Sequence, residues 1–254
     1  MKITVITVTY NSAKTIVESL VSVAGQSHPD IEHIVVDGGS TDGTLELIAA
    51  NNERVALLIS EPDQGIYDAM NKGLRRATGD MVGFLNSDDS FSSPDVIALL
   101  VKHAAERNAD AVFGDLVYVD PERTQPLVRY WQAGSFTVAK LRCGWMPPHP
   151  TLYVRRTVFD RIGFFDEALR IAADYEFMLR LLTCTELNVI YIPTVLVRMR
   201  VGGASNVSLA AMIRKSKEDL TALRRNEVGG LTTLLLKNLR KIPQFVSKPT
   251  VQRT

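Results

Sequence analysis

Asp80-Met81-Val82-Gly83-Phe84-Leu85-Asn86-Ser87-Asp88-Asp89 joins an apolar run of strand length to a polar quartet. A run without polar alternation predicts a strand covered on both faces, as at the centre of a parallel sheet. The quartet that ends it holds two adjacent carboxylates and an amide, which are poor core material. Hard divalent cations need clustered oxygen ligands, and open α/β sheets bind ligands outside the carboxyl ends of their strands. These residues suggest that Asp88, assisted by Asp89, holds Mg2+ or Mn2+ against a diphosphate. The competing reading is a polar turn before a helix, with Ser93 as N-cap and Pro94 at the first helical position. That turn explains residues 93–95 and leaves the carboxylate pair unused.

Toward the N-terminus the same design repeats. Ile3–Val8 predicts a first strand, β-branched and threonine-rich. Thr9-Tyr10-Asn11-Ser12 follows, with Asn11 or Ser12 as N-cap of a helix carrying Ala13, Ile16, Val17, Leu20 and Ala24 at helical spacing. Ile34–Val36 is a short buried strand running into Asp37, the glycine-rich loop 38–44 and a helix from about Leu45 to Ala50. Val55–Ile59 is a third strand, ending in Ser60-Glu61-Pro62-Asp63-Gln64-Gly65. The next helix sets Ile66, Ala69, Met70, Gly73, Leu74 and Ala77 on one stripe. Four strands alternating with three helices mean βαβ units, a parallel sheet and right-handed crossovers. Asp37, Glu61, Asp63 and Asp88 all follow strands, and their convergence on one sheet edge reads as a nucleotide and metal site. The loop Gly38-Gly39-Ser40-Thr41-Asp42-Gly43 is not Gly-x-Gly-x-x-Gly and no Walker lysine follows it, which argues against dinucleotide oxidoreductases and P-loop proteins.

At 254 residues the chain fits one large domain with an appendage. Cys143 and Cys184 form neither a metal-type cluster nor a disulfide framework, as in a reducing cytosol. The N-terminus lacks signal-peptide character, and no run reaches the roughly 18 apolar residues of a membrane-spanning helix. Charge is divided unevenly: residues 206–254 carry +7 and residues 1–205 carry −6, for a total of +1. A basic tail on an acidic body suggests contact with an anionic surface. Zinc-finger spacing and RNA-binding aromatic signatures are missing, so nucleic acid is not an expected partner.

Five motifs occur in order: Thr7-Val8-Thr9-Tyr10-Asn11, Val36–Thr44, Asp63-x-Gly65-x-x-x-Ala69-x-Asn71-x-Gly73, Ala77-x-Gly79-Asp80 and Leu85–Asp89. Together they resemble the family 2 glycosyltransferases, inverting nucleotide-sugar-dependent enzymes of the GT-A fold, over roughly residues 2–205. The resemblance implies a mostly parallel Rossmann-like α/β sheet flanked by helices. It implies that Thr9 belongs to the donor site, that Tyr10 packs by the nucleobase with Asp37 hydrogen-bonding the base edge, and that Asp63 lines the nucleoside pocket. Asn86 would serve the ribose, and Asp88 and Asp89 the metal. The family's Asp-x-Asp often begins with Asp; here Asn86 adds no charge, which makes Asp88 the principal ligand. The resemblance also raises His149, otherwise a turn residue in Pro147-Pro148-His149-Pro150, to a place near the metal.

In the second half, Ala111–Asp115 predicts a fifth strand, Val119–Pro126 a loop or hairpin tip, and Trp145 a core residue. Arg198 and Arg200 precede Gly202-Gly203-Ala204-Ser205, a candidate phosphate clamp that also reads as a strand ending in a basic turn. Asp174 is the expected catalytic base. It shares a helical stripe with Phe177, Met178 and Leu181, a helix N-terminus favours its ionised form, and the family resemblance points to the same position. Glu176 lies on another face, spaced to pair with Arg180. The competing role for Asp174 is a helix cap.

The chain thus divides into a GT-A domain, 1–205, with a nucleotide-sugar-binding half (1–118) and an acceptor-facing half (119–205). A basic amphipathic helical tail, 206–254, follows. Its second helix sets Leu231, Leu234, Leu235, Leu239 and Ile242 on one side and Lys237, Arg240 and Lys241 on the polar side; residues from Pro243 onward read as frayed. The expected activity is inverting sugar transfer from a nucleotide-diphosphate-sugar to a hydroxyl of a saccharide or lipid-linked saccharide, in cell-surface polysaccharide biosynthesis. The expected location is the cytoplasm, or the inner face of the plasma membrane through the tail. A catalytically inactive nucleotide-sugar-binding module and a nucleotide-sugar pyrophosphorylase are the alternatives.

Overall fold

The computed structural model describes residues 1–120, 127–201 and 209–240. Most of the predicted hairpin tip, the segment Gly202–Ser205, and Lys241, Ile242 and everything beyond lie outside the described residues. The first half contains the seven expected elements: β1 (Ile3–Thr9), α1 (Ile16–Ala24), β2 (Ile31–Asp37), α2 (Thr44–Ala50), β3 (Val55–Ser60), α3 (Ile66–Arg76) and β4 (Met81–Phe84). The four strands are parallel and lie in the order β3-β2-β1-β4. Thr9 stands opposite Asp37 and Asp37 opposite Ser60, while Ile6 stands opposite Phe84. The register therefore brings all four carboxyl ends to one edge.

The second half completes the sheet with β5 (Ser90–Phe91), β6 (Ala111–Val119), β7 (Leu127–Trp131), β8 (Tyr153–Arg155) and β9 (Val189–Arg200). Between them run α4 (Val96–Glu106), α5 (Val138–Arg142), α6 (Arg156–Ile162) and α7 (Ala173–Thr183). Strand β8 is antiparallel to both β4 and β6, and so stitches the halves together. Gly83 faces Tyr153 across this seam. A Cβ at Gly83 would lie 2.4 Å from the buried Tyr153 ring, so a residue without a side chain is required there.

Alternation along β1 divides the core. Ile6 and Val8 pack with residues of α3, α6 and α7, and Ile3 and Val5 pack with residues of α1 and α4 on the other face. Trp145 is buried, its indole N–H bonded to the Ala133 carbonyl at 2.7 Å, as a core tryptophan requires.

Two predicted helix starts differ. Helix α1 begins at Ile16 rather than beside Asn11 or Ser12, because the Asn11 carboxamide and the Ser12 backbone are engaged by the loop after β2. Helix α4 begins at Val96 with Asp95 as its N-cap, while the Ser93 carbonyl accepts from the Gln26 amide at 2.8 Å.

The tail helices α8 (Leu209–Arg225) and α9 (Leu231–Leu239) pack on the second half of the sheet domain, around the start of α7. The Glu218 carboxylate accepts the backbone N–H groups of Arg170, Ile171 and Ala172 at 3.2, 2.8 and 3.0 Å. Arg225 pairs with Asp166 at 2.7 Å. Lys237 is not on a polar face, as expected from its neighbours, but buried, paired with Asp219 at 2.7 Å and 3.3 Å from the Tyr175 ring centroid. Burial pushes its pKa down to about 8. Because removing one member of a buried pair strands the other charge, Lys237→Met should cost about 3–5 kcal/mol. Adding Asp219→Leu should recover most of it, since a well-packed apolar pair of similar volume is often neutral. Urea denaturation of both variants decides this; a single variant as stable as the parent would show that the pair contributes nothing.

Candidate active site

The site begins where β1 and β2 end. Their two loops are zipped together: the Asn11 amide donates to Ser40 Oγ at 2.8 Å, and the Thr41 amide to Asn11 Oδ1 at 2.9 Å. The Ser12 amide donates to Thr44 Oγ1 at 2.8 Å, and the Ala13 amide to Asp42 Oδ2 at 3.0 Å. Asp37 is the buried post of this arrangement. Its carboxylate accepts from the Gly39 and Ser40 amides at 3.1 and 3.0 Å, from Ser40 Oγ, and from Ser60 Oγ at 2.8 Å. In this arrangement its hydrogen-bonding capacity holds the loop rather than facing outward.

Tyr10 stands at the rim, 63% exposed, a flat aromatic face beside a polar wall. Gly38 lies between it and Asp63: a Cβ there would fall 2.4 Å from Asp63 Oδ2 and 3.4 Å from Tyr10 Cδ2. Asp63 in turn accepts from the Gly65 amide at 2.8 Å, which fixes the turn into α3. Tyr10, Gly38 and Asp63 thus form one cradle. Thr9 is buried beneath it, and its hydroxyl has no hydrogen-bond partner among the described residues.

The quartet after β4 is anchored on α1 and the loop before it: Ser19 Oγ donates to the Asn86 carbonyl at 3.2 Å, and Ser87 Oγ lies 2.9 Å from Ser12 Oγ. Burial raises the Asp88 carboxyl above its ordinary value, with the Arg200 charge acting against that rise. Asp89 is pushed up much further, by burial first and then by the Asp88 charge beside it. Its compensations are the Arg200 backbone amide, the Asn86 amide at 3.4 Å and the Arg200 charge. Arg200 also pairs with Glu18. Buried Asn86 Oδ1 and Asp89 Oδ1 have no hydrogen-bond partner among the described residues. Two desolvated carboxylates, with the unpartnered oxygens of Asp89 and Asn86 beside them, form a donor set that suits a hard divalent cation. No group of three or more His, Cys, Asp or Glu side chains is assembled around such an ion among the described residues.

His149 is buried in a 3₁₀ turn, stacked on Phe84 with ring centroids 5.7 Å apart and edge-on to Phe165. Burial lowers its pKa, against the nearby Asp174 charge, so the imidazole is neutral at pH 7.

Asp174 opens α7, whose buried residues include Phe177, Met178 and Leu181. Tyr67 Oη lies 3.0 Å from Asp174 Oδ1 and 2.8 Å from the Ile171 carbonyl, so its one proton is shared between two acceptors. Burial first, and then the Asp174 charge beside it, raise the Tyr67 phenol well above its ordinary pKa. Glu176 pairs with Arg180 at 2.8 Å and is buried away from this contact. Tyr67 lies off the apolar stripe of α3, and no local pattern in the sequence marks its contact with Asp174. Asn71 appeared there only as a motif position; the structure shows why an amide is needed. Buried on α3, it donates to the Phe165 carbonyl at 3.0 Å and accepts the Phe165 amide at 3.1 Å, holding the segment before α7 against the first half of the chain.

The sequence model described as "Glycosyl transferase family 2" matches residues 4–171, which span β1 to the threshold of α7. The chain belongs to that family. A curated relative, a PGL/p-HBAD biosynthesis glycosyltransferase of Mycobacterium bovis, is 32% identical over 251 residues, covering 97% of this chain and 93% of its own. Among solved structures, S. aureus TarS is 24% identical with a TM-score of 0.66, over 90% of this chain and 42% of that one. The chain therefore spans less than half of that TarS chain. A mannosyltransferase from Pyrobaculum calidifontis, solved with GDP-Man and Mn2+, is 22% identical with a TM-score of 0.66, over 96% of this chain and 73% of that one. These likenesses confirm the GT-A fold, and the family makes this glycosyltransferase an enzyme of sugar transfer.

Proposed function

We propose that this glycosyltransferase moves a sugar, with inversion, from a nucleotide-diphosphate-sugar to a hydroxyl of a saccharide or lipid-linked saccharide during cell-surface glycan assembly. The observation that carries the reading is the desolvated Asp88–Asp89 pair at the carboxyl edge of β4, beside which buried Asp89 Oδ1 and Asn86 Oδ1 have no partner among the described residues. The cradle of Tyr10, Gly38 and Asp63 suits a nucleoside, with the aromatic face under the base and Asp63 toward the ribose. Asp37 would serve the base indirectly, by holding the loop that faces it, and Thr9 supplies a buried hydroxyl beneath. Asp88 and Asp89 would hold Mg2+ or Mn2+, with Asn86 on the ribose side and neutral His149 offering a lone pair or an N–H. When bound, the cation neutralises charge on the departing diphosphate.

Inversion requires the acceptor hydroxyl to be deprotonated on the face opposite the leaving group, so the base is a carboxylate outside the metal set. Asp174 fits, because it is held from a separate helix by Tyr67. The relatives support the substrate class: TarS has been solved with UDP-GlcNAc, and the mycobacterial relative is named for PGL biosynthesis. The proposed location is the cytoplasm, on the inner face of the plasma membrane.

A panel of nucleotide-sugars with acceptor extract tests the reading. Release of nucleoside diphosphate with sugar appearing on the acceptor is expected. Saturable donor binding without turnover would instead assign a binding module, and pyrophosphate release a pyrophosphorylase.

A further inference from the structure

Helix α9 is inside out. Its one charged residue between Leu231 and Leu239, Lys237, points into the protein and is closed over by Asp219 and the Tyr175 ring. Thr233 also faces inward, its hydroxyl bonded to the Arg142 carbonyl at 3.0 Å. Leu231, Leu235 and Leu239, at i, i+4 and i+8, stand outward and are 62%, 64% and 58% exposed. Beside them α8 presents Met212 and Ile213, both exposed. Between the two helices runs a mostly apolar groove of about 360 Å³, with Leu220 and Leu234 along it. An outward-facing row of large apolar side chains on a helix already docked through its polar residues marks an interaction surface.

We propose that this face of α8 and α9 docks on an anionic lipid bilayer. Charge chooses the occupant. Exposed Arg214 and Lys217 flank Met212 and Ile213, and Arg240 ends α9. The nearby acids are occupied: Asp219 by Lys237, and Glu218 by three backbone N–H groups. The segment 206–254 carries +7 in all. Two such basic faces repel each other, so a second copy of the chain is disfavoured, whereas an anionic headgroup layer complements the rim while its acyl boundary takes the leucines. The described helices are not long and apolar enough to cross a membrane, so the contact is one of lying on the surface. The face is rigidly tied to the site: Lys237 contacts Tyr175, the neighbour of Asp174, and Glu218 fixes the turn before α7. Resting on the transferase reading, this geometry assigns the acceptor to a lipid-borne class, presented at the bilayer surface.

Flotation with phosphatidylglycerol–phosphatidylcholine vesicles, against phosphatidylcholine alone, tests the surface. The full chain should float with the anionic vesicles, less so at high salt. Leu231→Gln/Leu235→Gln/Leu239→Gln should lower the bound fraction by about 10-fold or more, because the exposed leucines supply the inserted area. Its folding and its turnover of a water-soluble donor should stay at parental levels. Met212→Gln/Ile213→Gln is the second variant, expected to act in the same direction. Failure of the parent to bind anionic vesicles, or equal binding by the triple variant, overturns the proposal. So does a concentration-dependent dimer in sedimentation that the triple variant abolishes, which would give the face to a second copy. Vesicle binding is read without turnover, so an inactive but floating protein would refute the transferase reading alone.

Discussion

Asp174→Asn should lower the rate of sugar transfer by about 10²–10⁴-fold, the usual worth of a general base, with donor and metal affinity near parental. The carboxamide keeps the shape of the carboxylate and an oxygen able to accept from Tyr67, which donates across 3.0 Å in the parent. What it loses is a site for the acceptor's proton. The competing role, a helix cap, now has less to explain. The N-cap position of α7 is Ala172, no side-chain capping bond is made there, and Glu218 takes the amides of residues 170–172. The loss should fall on kcat, because Asp174 belongs neither to the nucleoside cradle nor to the quartet. Tyr67→Phe gives the contrast: it removes a positioning contact and leaves the carboxylate, so its loss should be smaller than that of the Asn variant. If the Asn variant transfers sugar at close to the parental rate, Asp174 only organises the start of α7 and the base lies elsewhere.

The first half of the chain was legible because its signals are local. Each strand is a short β-branched or apolar run ending in a polar loop, and period-3.6 stripes lie between them. Such patterns place β1 to β4 and their shared carboxyl edge to within a few residues. The second half was harder, because β5, β7, β8 and β9 earn their places through distant partners. Strand β8 has three residues, and its pairing with β4 spans some seventy positions, which no local pattern records. Side-chain roles followed the same division. Asp63, Asp88 and Asp174 are chemically conspicuous, yet what each one touches depends on residues far away in the chain. Tyr67 reaches Asp174 across 107 positions, and Arg200 reaches Glu18 across 182. Lys237 is the clearest case. Its neighbours suggested a solvated polar side, and only the distant Asp219 and Tyr175 make burial of an ammonium tolerable. The leucines were then forced outward.

Asp88→Ala should abolish metal-dependent turnover, by roughly 10³-fold or more if the lost charge stabilisation amounts to several kcal/mol. The fold should survive, though for a different reason from that suggested by an exposed turn. Asp88 is half-buried, and burial raises its pKa; the Asp88 charge in turn pushes Asp89 up further. Ionised side by side without a cation, the pair costs stability. Removing one carboxylate relieves its partner, so the metal-free variant should melt at the parental temperature or slightly above it. Adding Mn2+ separates the roles of the two forms. Binding to the native state alone raises the melting temperature, so the parent should be stabilised by the ion and the Ala variant should not. Asn86 cannot substitute, since a neutral amide contributes an oxygen without charge. Near-normal turnover by Asp88→Ala, or full parental turnover in EDTA, would remove the ion from the reaction. The Asp88–Asp89 pair would then be a desolvated turn whose charge is balanced by Arg200.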